Sequence, residues 1–493
     1  STLMRSSAAS DVYKRQIVSR SKDNGATWRY TFANYLGDNG NAFNYNSTAF
    51  IDPAIATDGE TVYMIADLYP AGIAINTTPN THRPLVGSTG FDENDNLILA
   101  AATDEINGLS PSADRISQSF DYHLEKNPDE YGESYYLLKD AQGNTVEGYV
   151  IDAFFNIRGD GVDTNIFCGD SPYYPWPADY LYMTKSSNGG RTWSEPKLLN
   201  LKKAEEQTLL VGPGRGIYTS SGRILFTCYE FTNTDKNSAC IYSDDGGETW
   251  QRGESVSGWS SEAVVTEADG KIYMFTRHGN CYYVSQDNGT TWSSPVSVPK
   301  AYNSNCQLTA ITYSEKIDGK TAILLAAPSS TSARQNGKIF VGLVQEDGTI
   351  SWDYEYEINK GGATYAYSCL TELANGDIGL LYESAGSAIT YKTIAIEDVA
   401  KGATIGNLWL EKDETPVSRC DLTPDGSAEL TLMGIEEGVE IQAESSNPDA
   451  VTVSVSGNTV TITGKAVMGL AEADITITAG GKTLSLIHIS EPT

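Results

Sequence analysis

Residues 260–292 read SSEAVVTEADGKIYMFTRHGNCYYVSQDNGTTW. Two β-rich runs, 264–266 and 271–276, flank Asp269-Gly270. A two-residue type I′ turn needs positive φ at both central positions, and Asp-Gly adopts it readily, so the pair predicts a tight hairpin. Such a turn fixes register, which sets Glu262 opposite Arg277 at the open end of the hairpin. Alone, that pair reads as a surface ion pair worth little. The next strand runs into 285–292, SQDNGTTW, of the form Ser-x-Asp-x-Gly-x-Thr-Trp, a turn that tucks its own Asp and Trp inward.

Both features recur. The box returns at 21–28 (SKDNGATW), 186–193 (SSNGGRTW, with Asn188 in place of Asp) and 243–250 (SDDGGETW). Its residues are turn chemistry and packing, and they are assigned no catalysis. Hairpin turn pairs return at Asp58-Gly59, Ser221-Gly222, Asp318-Gly319 and Asn375-Gly376. From Gly222 onward the turn glycines are about 50 residues apart, a period that signals a β-propeller. Five hairpins and the orphan box at 21–28 predict an all-β, six-bladed β-propeller over 17–410. Its first blade is incomplete, and an insertion at about 71–175 interrupts the second. Residues 107–132 are polar and carry no pattern to assign. Beyond about residue 413 the alternation in VTVSVSGNTVTITGKA, with a turn at Gly457-Asn458, looks like a β-sandwich-like bacterial immunoglobulin-like module. It spans 411–484, is cut short, and serves spacing or attachment rather than chemistry. The two ends, 1–16 and 485–493, resemble translated sequencing-adapter read-through and are expected to lie outside the fold. The natural protein is expected to extend past both.

Blade topology sorts residues by face. In an up-and-down blade the Asp-Gly turns and the boxes share one end. The start of strand 1 and the strand 2–3 loop share the other, around the central channel. Glu262, Arg277, Arg334, Tyr367, Glu383 and Asp67 all fall at this second end. Across a two-residue turn at Asn375-Gly376, Tyr367 would pair with Ser384 and Glu383 with Ser368.

Composition narrows the classes. The 493 residues carry 34 Lys and Arg against 64 Asp and Glu, a formal net charge of −30. Nucleic acid and anionic membranes demand a basic footprint, so neither is an expected partner. An anionic small substrate stays open through a local arginine cluster. Seven cysteines show no metal-ligand spacing, and a Cys228–Cys240 disulfide is left open. No metal or cofactor is expected, and no apolar run is long enough to span a membrane.

GPGRGI at 212–217, SEAVV…TR at 261–277, ARQNGKIFVGLV at 333–344 and YAYSCLTEL…GLLYE at 365–383 join the four boxes. Together they resemble the bacterial exo-α-sialidases over about 17–400. Boxes alone occur in unrelated propellers; the order Glu, Arg, Arg, Tyr, Glu is specific. The resemblance implies release of terminal sialic acids from glycans or glycoproteins. Three arginines would grip the substrate carboxylate, and Arg277 and Arg334 match two of them. A carboxylate nucleophile would be repelled by that anion, so these glycosidases use tyrosine, matched by Tyr367. A free phenol has a pKa of about 10 and needs a base, matched by Glu262. Glu383 matches the residue that orients the first arginine. Asp67 and Gln307 are pocket candidates, and Arg215 is assigned to structure. The family's first arginine and its aspartate acid precede the first box, where 1–16 carries no such motif. The chain as given is therefore expected to bind sialic acid weakly and to turn over slowly or not at all. A secreted or cell-surface monomer is implied. Two other classes are a non-catalytic sialoglycan-binding propeller, which needs no Tyr/Glu pair, and a box-bearing interaction or glucan-cleaving propeller, which lacks the arginines. Within the enzymes, hydrolysis and transfer, including a trans-sialidase, both stay open.

Overall fold

The structure is a computed structural model. It describes residues 3–5, 15–36, 48–73, 83–102, 119–232, 235–299, 305–403 and, with short gaps, 405–490. The described chain is all-β, its helical pieces being Ala385–Ser387 and Ile396–Val399. No helix among the described residues is long and apolar enough to cross a membrane.

A succession of antiparallel sheets follows the chain. Leu3–Arg5, Arg15–Ser21 and Arg29–Tyr35 form the first; Ala49–Thr57, Val62–Tyr69, Tyr180–Ser186 and Lys197–Leu199 form the second. Thr208–Val211, Ile224–Phe231, Lys236–Ser243 and Gln251–Arg252 follow, then Ala263–Ala268 through Val296–Ser297, Thr309–Thr312 through Ile350–Glu357, and Ala366–Glu372 through Ala388–Ile394. Ala263–Ala268 lies against Thr309–Thr312 and Thr309–Thr312 against Ala366–Glu372, as Ala49–Thr57 does against Thr208–Val211. Cores sit between neighbouring sheets: Tyr273, Phe275, Leu325 and Phe340 in one, Leu324, Val341, Leu370 and Leu380 in the next. Strands covered on both faces read as unbroken apolar runs, as in the wholly buried AILLAAP of Ala322–Pro328. Each fully buried Ile or Leu side chain there contributes about 1.5–3 kcal/mol.

The deciding hairpin has the expected register, Ala263 opposite Thr276 through Ala268 opposite Lys271. Asp269 (φ 48°) and Gly270 (φ 72°) both take the left-handed conformation. The boxes join the last two strands of their sheets, and their polar groups are spent internally. In 285–292, Ser285 Oγ donates to Asp287 Oδ1 (2.7 Å) and accepts from Gly289 N (2.8 Å), while Thr291 N donates to Asp287 Oδ1 (2.8 Å). The first sheet meets the last at a box. The Tyr391 hydroxyl donates to Asn24 O (2.8 Å), and its ring meets Trp28 edge-on, centroids 5.6 Å apart. Gly25 (φ 90°) allows this approach, since a Cβ there would lie 2.1 Å from the Tyr391 ring.

Two expectations need correction. Asn375-Gly376 is not a two-residue turn. Asn375 has no positive φ, and its side-chain amide bonds Asp377 Oδ2 (2.8 Å), which supports a loop over 373–377. Ala366, not Ser368, therefore faces Glu383, and Tyr367 has no partner across the hairpin. Second, the ends are not wholly outside the fold. Leu3–Arg5 pairs with Arg15–Ser21, and Lys482–Ser490 lies between Arg419–Leu422 and Ala471–Ala479. An open strand edge leaves backbone groups unpaired, and these segments fill such edges. The Cys228–Cys240 disulfide that the sequence leaves open is not formed. Cys228 faces Ala239 while Cys240 faces Thr227, one position out of register.

Within 71–175, strands from Leu97–Ala101 to Tyr173–Pro175 make a seven-stranded sheet. Three of its turns share a pattern that the sequence displays, Asp-x-x-x-Asn. Asp92, Asp140 and Asp152 each bond both the backbone and the side-chain nitrogen of an asparagine four residues on. Part of the unassigned stretch, 107–118, lies outside the described residues. Beyond 408, two further sheets enclose Leu430, Leu432, Val460, Ile462, Ile475 and Ile477.

Two buried aspartates tie the second sheet to the third. Asp67 Oδ1 accepts from Val211 N (2.9 Å) and Asp179 Oδ2 from Leu209 N (3.2 Å), so alternate amides of one strand edge are satisfied. Burial raises Asp179 to about 7, against the pull of Lys202. Burial also raises Asp67, helped by Asp52 and Asp179. A carboxyl whose folded pKa lies above its unfolded value stabilises fully at low pH and loses that contribution as pH rises through the folded value. The urea midpoint is therefore expected to fall between pH 5 and pH 8, and Asp179→Asn to flatten that fall and exceed the wild type at pH 8. An unchanged slope would show that Asp179 does not hold its proton.

Candidate active site

The site is built on the open ends of two hairpins. At the first, Arg277 N donates to Glu262 O (2.8 Å), extending the ladder one step past the strands. The side chains then meet: Arg277 Nη1 lies 2.7 Å from Glu262 Oε1. At the second, the strand Ala366–Glu372 bulges at Tyr367, whose φ of 24° is unusual for an aromatic residue. A bulge re-aims a side chain, and this one directs the phenol across to the first hairpin. The Tyr367 hydroxyl donates to Glu262 Oε1 (2.8 Å) and accepts from Arg277 Nη1 (3.1 Å).

Electrostatics sharpen the arrangement. Burial raises the Tyr367 phenol well above its ordinary pKa, the Glu262 carboxylate raises it further, and Arg277 only partly offsets them. The phenol therefore stays neutral until Glu262 can take its proton. Burial works against the Arg277 charge, but Glu262 and Tyr367 hold it above its usual range.

The Arg334 guanidinium lies 5.2 Å from the Tyr367 ring centroid. It donates through Nε and Nη2 to Asn305 O (3.3 and 3.2 Å). Arg277 Nη2 donates to Asn305 Oδ1 and O (3.1 and 3.4 Å). The two arginines thus converge on one acceptor cluster. Glu383 lines an open cleft with Tyr367, Ser368, Ile55, Leu381 and Gln307, about 520 Å³ of empty space. Burial raises its carboxyl, Arg334 opposing and Glu262 assisting, and its Oε1 has no hydrogen-bond partner among the described residues.

The other candidates are placed differently. Gln307 lines the cleft, but its amide is committed to backbone: Nε2 to Pro213 O (3.2 Å) and Ser368 O (3.1 Å), Oε1 from Ser368 N (2.8 Å). It braces the strand that carries the bulge. Asp67 is fully buried and held by Val211, so its carboxylate does not reach a solvent surface. Arg215 donates to Leu370 O (3.0 Å), a contact within the frame. Two further residues, absent from the sequence-based candidates, adjoin the site. Asp52 sits in a bulge at φ 48°, accepts from the Tyr229 hydroxyl (3.5 Å), and adds to the negative potential at Tyr367. An Asp-Pro pair inside a strand run was its available signal. Asn305 had none, because its carbonyl does much of the bonding.

The chain resembles known proteins in the same terms. A family model described as a BNR repeat-like domain matches residues 166–380. The anhydrosialidase of Macrobdella decora is 32% identical over 419 residues, 75% of this chain and 53% of that protein. Sialidase B of Streptococcus pneumoniae serotype 4 is 32% identical over 432 residues, 78% of this chain and 60% of that protein. The intramolecular trans-sialidase from Ruminococcus gnavus, solved with oseltamivir carboxylate, matches with a TM-score of 0.66 at 27% identity, over 78% of this chain and 88% of that one. The chain is thus similar to sialidases and carries a BNR repeat-like region. The likeness implies a propeller for the succession of antiparallel sheets. The chain spans only 53% and 60% of those two curated relatives.

Proposed function

We propose that this chain is the catalytic propeller of an exo-α-sialidase, with six blades over about 17–410 and a bacterial immunoglobulin-like module following. The observation that carries the reading is the Tyr367–Glu262–Arg277 cluster, three contacts of 2.7–3.1 Å between two separate hairpins. Arg277 and Arg334 take the substrate carboxylate in place of Asn305. Tyr367 Oη attacks the anomeric carbon as Glu262 Oε1 accepts its proton, and the bond to the aglycone oxygen breaks. The departing aglycone oxygen takes a proton from water. A water, or a hydroxyl of the bound sugar itself, then attacks the anomeric carbon and the bond to Tyr367 breaks. The phenolate regains its proton from Glu262, and the proton lost by the attacking hydroxyl replaces the one given to the aglycone. Glu383 lies beside Arg334 and supplies negative charge at the cleft. Terminal sialic acids on secreted or surface glycans are the substrate class, and a secreted or cell-surface monomer suits it.

A second reading, intramolecular transfer, is favoured by relatives named anhydrosialidase and intramolecular trans-sialidase. Incubating the protein with 3′-sialyllactose and identifying the released sugar tests both. Free sialic acid supports hydrolysis, and a 2,7-anhydro sugar supports transfer. Binding without product would make the chain a sialoglycan-binding propeller. Neither binding nor product would overturn the reading.

A further inference from the structure

Beside the Glu262–Arg277 pair lies a second cluster that the chemistry above does not use. Trp259 is 71% exposed, yet its ring is stacked on His278, centroids 5.3 Å apart and planes within 17°. Trp259 precedes Glu262 by three residues, and His278 directly follows Arg277, so the stack bridges the two ends of the site hairpin. It stands on a fixed backbone. Ser260 N donates to Lys236 O (2.8 Å), Ser238 N to Ser260 Oγ (2.8 Å), and the Tyr283 hydroxyl to Ser257 O (2.6 Å).

Lys236 completes the cluster. Its ammonium lies 4.1 Å from the Phe231 ring centroid, and no acceptor among the described residues takes its protons. Burial and Arg277 depress its pKa, while Glu262 pulls the other way, so it sits within the field of the site. His278 is pushed down to about 4 by burial, then by Arg277 and Lys236. At neutral pH the imidazole is uncharged and backs the indole as a flat apolar support.

We propose that Trp259 and Lys236 form a subsite for the neutral pyranose to which the terminal acidic sugar is attached. This rests on the sialoside reading above. A pyranose has one face of C–H groups and a rim of hydroxyls. The open indole face takes the first, as amphipathic aromatic rings at wet surfaces do, and the ammonium donates to the second. The platform adjoins the base and one arginine, where the leaving side of a bound sialoside must emerge. An anionic occupant would be drawn instead to the arginine pair, while a neutral ring has no such competitor.

The test uses binding in a non-cleaving background. Kd is measured by calorimetry for 3′-sialyllactose and for methyl α-sialoside, whose aglycone has no ring, against Tyr367→Phe and against the same protein carrying Trp259→Ala. The expected result is about tenfold weaker binding of sialyllactose with methyl sialoside unchanged, a size set by aromatic stacking. Lys236→Met, which keeps the stem on Phe231, is expected to act in the same direction. Melting curves check that each variant is folded. Equal losses for both ligands, or no loss, would overturn the subsite alone. Binding of neither ligand to Tyr367→Phe and to wild type would overturn the sialoside reading, and the subsite with it.

Discussion

Glu262→Gln is expected to lower turnover of a sialoside by about 10²–10⁴-fold, the usual contribution of a positioned general base. The argument begins at Tyr367. Its hydroxyl is raised by burial and by Glu262 itself, so almost none is ionised at neutral pH. Attack therefore needs a proton acceptor within reach, and Glu262 Oε1 is 2.8 Å away. Glutamine keeps the shape and the hydrogen bond but cannot take the proton. It also leaves Arg277 without the carboxylate that faces it at 2.7 Å, so substrate binding is expected to change as well. Tyr367→Phe should lose a similar factor. The double variant should be scarcely worse than either single one, because the two residues act as a unit. Multiplicative losses in single-turnover assays would show that they work independently, and the base would have to be sought elsewhere.

Arg252→Ala is expected to destabilise the fold by about 3–5 kcal/mol, the usual cost of removing one partner from a buried ion pair. Arg252 Nη1 donates to both oxygens of Glu206 (3.0 and 2.9 Å), and Nη2 pairs with Glu230. The side chains of Arg252 and Glu206 are 7% and 3% exposed. Glu206 also accepts from Lys203 N (2.9 Å), so the arginine pins the loop before Thr208–Val211 to the far edge of its sheet. Without it, two carboxylates face each other in low dielectric. Adding Glu206→Gln and Glu230→Gln should recover much of the loss. A urea midpoint that is unmoved in Arg252→Ala would mean the carboxylates simply take up protons.

What could be read from the chain was what local chemistry decides. Asp269-Gly270 adopts its turn from its own two φ angles, so register, and with it the pairing of Glu262 and Arg277, followed. The boxes were legible because their hydrogen bonds are internal. Asn375-Gly376 was not, since an asparagine side chain that bonds two residues ahead supports a longer loop equally well. Nor did anything in YAYS announce the bulge at Tyr367. Its neighbour Ser368 is gripped at N and O by Gln307 from another sheet, a contact set only once the sheets are assembled. Asp67 was placed at the right end of its strand, but its side chain turns into the protein toward Val211. The site's third acceptor, Asn305, acts largely through its backbone, which no side-chain pattern records.

The meeting of Tyr391 with Asn24 and Gly25 has a mechanical consequence. Each sheet presses mainly on its neighbours, so a closed circle has no terminal member and no exposed flank. Among the described residues, the first and last sheets meet at this seam through one hydroxyl and one edge-on ring pair. Breaking the seam would turn the circle into a linear stack with two naked flanks, and loosening would then travel inward from both. Cutting and rejoining the chain at another sheet boundary would move the weakest point around the circle without altering the Tyr367–Glu262–Arg277 cluster.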